Sequence, residues 1–226
     1  MSAVAADGQT SARALDELCG IYWYPIYAFI RRQTPSPDDA ADLTQAFFTQ
    51  FIERDCLANV APEKGRFRSF LLVCLRRFLA NQHRQDHAAK RGGGHKTLSL
   101  DFAFAEQRYC REPSHSITPE KIYQHDWAVA LLARALRQVS DEFAARGRQQ
   151  IFDTLKIYLG PDETAPAYAQ AAAALGMSET AVKVAVHRLR DRYRQAIEQE
   201  AANTMEQDAS LEEELHILLE SLAAVK

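Results

Sequence analysis

Apolar positions recur at three- and four-residue spacing along almost the whole chain, which predicts a succession of amphipathic helices. Leu15 to Gln33 carries an aromatic stripe of Tyr22, Trp23, Tyr24, Tyr27 and Phe29, read as core, with Pro25 expected to kink the helix. In the loop Thr34-Pro35-Ser36-Pro37, Ser36 suits an N-cap and Pro37 the first helical position. The helix that follows runs from Asp38 to about Arg54. On a helical wheel Ala40, Leu43, Phe47 and Phe51 share one face, while Asp42, Gln45, Ala46, Thr49 and Glu53 lie opposite. A loop with Asp55, Pro62 and Gly65 leads to a long helix from Phe67 to about Arg91. Its apolar face is Phe70, Leu71, Cys74, Leu75, Phe78 and Leu79, and Arg68, Arg76, Arg77, Arg84 and Lys90 lie on the other.

Gly92-Gly93-Gly94 ends that helix, and no periodic segment resumes before Pro119, so residues 95–118 read as a flexible linker between two domains. Helices are predicted again over Thr118 to about Arg146 and over Gln149 to Leu159. Tyr168 to Arg194 then has the pattern of two helices joined by a tight turn. Alanines in the first helix allow close crossing, Gly176 stands where a left-handed helix stop is needed, and Met177 can fill the space between the helices. Ser178 caps a second helix whose Val182, Val186, Leu189 and Tyr193 keep one apolar face. Lys183, His187, Arg188, Arg190, Arg192 and Arg194 fall mostly on the others. Such a helix can present cations and short polar groups to a DNA major groove. Leu211 to Val225 reads as a short acidic amphipathic helix.

Composition sharpens the picture. Few prolines and glycines (8 and 9) and abundant alanine and leucine favour an all-α protein. The net charge of −3 hides a segregation: Lys64–Lys96 and Lys183–Arg194 are basic, whereas the segment after Glu200 is acidic. Local charge sets where a polyanion docks. Cys19, Cys56, Cys74 and Cys110 are scattered without metal-ligand spacing or a disulfide framework, which fits a reducing cytoplasm, and Cys74 reads as a buried thiol. No apolar run is long enough to span a bilayer, the first residues do not form a signal peptide, and no membrane partner is expected. His83 and His87 are one helical turn apart, but the segment between them lacks the glutamate of a zinc-protease helix; no metal or other cofactor is expected. No nucleophile, ligand cluster or phosphate loop argues for an enzyme.

The segment Pro37-Asp38-Asp39-Ala40-Ala41-Asp42-Leu43-Thr44-Gln45-Ala46-Phe47-Phe48 resembles the polymerase-binding helix of bacterial sigma factors of the sigma-70 family. Gly65-Arg66-Phe67-Arg68-Ser69-Phe70-Leu71-Leu72 is similar to the start of that family's promoter-melting helix. Tyr168-Ala169-Gln170, Ala174 to Lys183 and His187-Arg188 resemble its C-terminal helix-turn-helix. Two such domains with none between them point to the compact extracytoplasmic-function (ECF) group. The resemblance implies a tail at 1–14, sigma domain two at 15–94, a linker at 95–118, sigma domain four at 119–198 and an acidic extension at 199–226. It implies a non-enzymatic factor that binds core RNA polymerase and promoter DNA. Thr180, Lys183, His187, Arg188 and Arg190 would meet the upstream element, with Arg190 and Arg192 on phosphates. Phe67, Arg68, Arg76, Arg77, Asn81 and Arg84 would engage and open the downstream element. Asp39, Asp42, Gln45 and Thr49 would face the polymerase. A helix-turn-helix regulator that binds duplex DNA without polymerase is the alternative.

Ala41 and Ala46 stand where the family usually carries glutamates, so this helix is expected to bind core weakly. Phosphorylation adds about −1.5 to −2 charge units, and Thr49, with Thr44 as alternate, is the expected site at which a Ser/Thr kinase supplies them. An anti-sigma protein is the other regulator consistent with the resemblance.

Overall fold

A computed structural model describes residues 20–53, 67–86, 101–110, 118–160, 165–204 and 210–223. Every regular element among them is helical, as the composition predicts. They are α1 (residues 20–31), α2 (Pro37–Glu53), α3 (Phe67–Asp86), α4 (Phe102–Tyr109), α5 (Pro119–Ala145), α6 (Gln149–Leu155), a 3-10 turn (Lys156–Leu159), α7 (Tyr168–Leu175), α8 (Glu179–Asn203) and α9 (Leu211–Ala223). The expected tail at 1–14, Cys19, Cys56, His87 and the triple glycine lie outside the described residues. No helix among those described is long and apolar enough to cross a membrane.

The chain divides into two compact units, Met1–Ala130 with Thr204–Lys226, and Leu131–Asn203. This differs from the expected domains at both ends. The first half of α5 belongs to the first unit rather than to a domain beginning at residue 119, and so does the acidic α9.

The first unit is organised by aromatic packing. Tyr22, Tyr27, Phe29, Phe47, Phe51 and Phe78 are all buried, with Phe47 lying 5.6 Å from Phe78 and 5.8 Å from Phe51. Ser36 accepts the Asp39 N–H at 3.2 Å, the cap expected before Pro37. The segment expected to be a linker contains α4, which is anchored rather than loose. Asp101 caps it by accepting the Phe104 N–H at 2.9 Å. Tyr27 donates to Glu106 at 2.5 Å, Arg31 pairs with Glu106 at 3.0 Å, and Phe102 meets the edge of Trp23. Burial would raise the Glu106 carboxyl, but the hydrogen bonds from Arg31 and Tyr27 outweigh it and hold the group below the usual carboxylate range. A helix of about two turns is too short for periodicity to reveal, and its partners are long-range.

Glu214 of α9, 1% exposed, forms an ion pair with Arg68 of α3, 4% exposed. The Arg68 guanidinium also lies 4.4 Å over the Trp127 ring, and its carbonyl accepts from the Tyr123 hydroxyl at 3.2 Å. Helix α9 is therefore anchored in this unit through Glu214.

The second unit is a small helical cluster around Val139, Phe152, Leu155, Val182, Val186 and Leu189. Among the described residues two glycines carry positive φ, Gly147 at 67° after α5 and Gly176 at 62° after α7. Both stop a helix so that the chain can turn sharply.

Candidate nucleic-acid interface

The turn between α7 and α8 has the geometry that the sequence predicts. Gly176 is left-handed at φ 62° and ψ 32°, and the Met177 N–H reaches back to the Ala172 carbonyl at 3.0 Å. Met177 is half-buried against the core, as expected of a plug between the helices. Ser178 accepts the Ala181 N–H at 3.2 Å, capping α8. Ala171 and Ala172 are buried, and their small size lets α7 lie close to α8. A Cβ on Gly176 would meet nothing within 4 Å, so Gly176→Ala carries only the backbone cost of left-handed φ. The expected loss is about 1–2 kcal/mol of stability, read by thermal or urea unfolding. An unchanged midpoint would show that the turn relaxes.

The buried line Val182, Val186 and Leu189 orients the rest of α8. Thr180, Lys183, His187 and Arg188 are all exposed on the outward side, as expected. Two of them have acidic neighbours on the same helix: Lys183 pairs with Glu179 at 3.0 Å, and His187 Nδ1 lies 2.8 Å from Asp191. At these exposures such pairs are weak and exchange readily for a stronger anion.

Arg190, although exposed, and Arg192 each have a partner within the second unit. Arg190 donates twice to the Tyr158 carbonyl, at 2.9 and 2.7 Å, satisfying an acceptor in the 3-10 turn. Arg192 is held by both oxygens of Glu142 on α5, with its Nε 2.7 Å from one of them. The Arg192 hydrogen bond holds the Glu142 carboxyl below its usual range. Both arginines tie α8 to its own unit. A wheel separates apolar from charged positions, but it does not show which cations meet a partner across the fold.

In the first unit the structure rearranges the expected downstream site. Arg68 is buried in its pair with Glu214 and has no path to a nucleic acid. Phe67 is half-buried and packs 5.4 Å from Tyr22 and 6.5 Å from Phe51. Arg76 is exposed and reaches Glu120 at 2.7 Å. Arg77, Asn81 and Arg84 are exposed together at the far end of α3, with Arg84 donating to Asn81 at 2.8 Å. Arg77 and Asn81 edge a depression of about 190 Å³ between α2 and α3, walled by Phe47, Phe51 and Phe78 with Gln50 and Cys74. Cys74 is half-buried there rather than fully enclosed. His83's side chain lies outside the description, and among the described residues no three His, Cys, Asp or Glu groups gather as metal ligands.

On α2, Asp39 and Asp42 are exposed and Gln45 is half-buried. Thr49, expected on the outward face, is only 9% exposed. Thr44 is fully buried, with its hydroxyl donating to the Ala40 carbonyl at 2.7 Å. The buried arc of α2 takes in Ala40, Thr44, Phe47, Phe48, Thr49 and Phe51, wider than the wheel's single stripe. A kinase cannot reach either hydroxyl in this fold, and a phosphate there would have to lose its hydration. Both hydroxyls are enclosed, contrary to the exposure expected of a modification site.

Compared with protein-family models, curated proteins and solved structures, the chain matches none. The interface therefore rests on its own chemistry.

Proposed function

We propose that this chain is a sigma factor of the compact ECF type, which binds core RNA polymerase in the cytoplasm, directs it to promoters and helps open the duplex. The observation that carries this reading is the tightly crossed α7–α8 pair, with Thr180, Lys183, His187 and Arg188 exposed along one side of the second helix. Helices so capped and oriented enter a major groove with their outward residues on base edges. Two further features support the reading without carrying it. Arg77, Asn81 and Arg84 form a compact polar and cationic end to α3, suited to holding a displaced strand. Asp38, Asp39 and Asp42 leave an acidic outward face on α2, suited to a basic surface of the polymerase, though with Ala41 and Ala46 the contact is expected to be weak.

The deciding experiment mixes the purified chain with core RNA polymerase and follows co-migration, then enrichment of duplexes from a random library. Permanganate reactivity of thymines on the enriched duplex reports opening. The proposal expects association with core, enrichment of a shared sequence, and opening only when both proteins are present. Tight duplex binding by the chain alone, without association with core, would replace it with the free helix-turn-helix regulator.

A further inference from the structure

Among the described residues of α8, Val184 is the one large apolar side chain left exposed, at 47%. At 3.6 residues per turn it points almost directly away from the buried line Val182–Val186–Leu189. It occupies the outermost ridge of the helix, one turn from Thr180 on one side and one turn from Arg188 on the other. These three side chains line one side of an open depression of about 670 Å³, whose other walls include Phe143, Ile151 and Met177. Val184 is thus the apolar position on a ridge that is otherwise polar and cationic, while the depression beside it continues onto apolar side chains.

A helix that needed only to stay hydrated would gain nothing from valine at that position, since apolar area in water is unfavourable and valine is a poor helix former. The major groove offers one apolar group on its base edges, the C5 methyl of thymine. We infer that Val184 is a specificity-determining residue that packs on a thymine methyl in the upstream element, beside the hydrogen bonds made by Arg188 and Thr180. This rests on the DNA-reading proposal above and deepens it by naming a base. Arg188 and Val184, one turn apart, would face neighbouring base pairs, with the arginine suited to the acceptor edge of a guanine.

The test uses the full chain with core polymerase and a duplex enriched from the random library. Each thymine is replaced in turn by deoxyuridine, which removes only the methyl. At one upstream position this should weaken binding by about three- to four-fold, the loss expected for one buried methyl. Val184→Ala should weaken binding to the thymine duplex by a similar factor and no longer distinguish thymine from uracil there. Val184→Thr, which keeps a methyl, should retain the discrimination. Because the side chain is exposed, both variants fold, and circular dichroism verifies this. A Val184→Ala chain that still senses the same methyl as the parent, or a parent indifferent to every methyl, would overturn the assignment. Enrichment of no duplex at all would remove the DNA-reading proposal itself, and this assignment with it.

Discussion

Glu214→Ala is expected to destabilise the first unit by about 3–5 kcal/mol, the usual cost of leaving a buried charge without its partner. Arg68 and Glu214 are 4% and 1% exposed, so neither charge can recover its hydration while the other is missing. The Trp127 face beneath the guanidinium offsets only a fraction of that loss. Both tryptophans, Trp23 and Trp127, belong to this unit, so urea unfolding followed by tryptophan fluorescence reports on it selectively. The paired replacement Arg68→Met with Glu214→Leu removes both charges and keeps the volume; it should restore most of the stability. A single-variant loss below about 1 kcal/mol would mean that water reaches the pair.

Arg188→Ala should weaken binding to an enriched duplex by about 1–3 kcal/mol, the range for a side chain that reads a base edge. That corresponds to a loss of roughly five- to 150-fold, concentrated on the preferred sequence, so base preference at one position should relax. The contrast is Arg190→Ala. Its guanidinium is engaged by the Tyr158 carbonyl, so the expected effect is a lower unfolding midpoint of the second unit with unchanged base preference. Competition binding across single-base variants separates the two. If Arg188→Ala instead lowers affinity uniformly and flattens the salt dependence, Arg188 holds a phosphate and does not read sequence.

Much of the fold was legible because local rules and the hydrophobic period agree. Pro37 after Ser36, Gly176 with Met177 and Ser178, and the Val182–Val186–Leu189 line each need only neighbours within a turn or two, and each appears as expected. The exposed quartet Thr180, Lys183, His187 and Arg188 follows directly from that apolar line. Val184 is legible on the same wheel, as the apolar residue out of phase with the buried face.

What sequence alone determined here is the helical class, the caps, the turn of the C-terminal helix pair and the outward face of its second helix. These depend on backbone conformation and on a period of 3.6 residues, both encoded locally. Only the tertiary structure decided the fate of the cations: Arg68 to Glu214, Arg190 to Tyr158 and Arg192 to Glu142, leaving Arg77, Arg84 and Arg188 outward. It also decided that α4 and α9 are anchored elements and that Thr49 is enclosed. An arginine on a polar face looks the same in sequence whether it meets water, a carboxylate many residues away or a phosphate. That distinction is set by long-range packing and desolvation, which no local pattern carries.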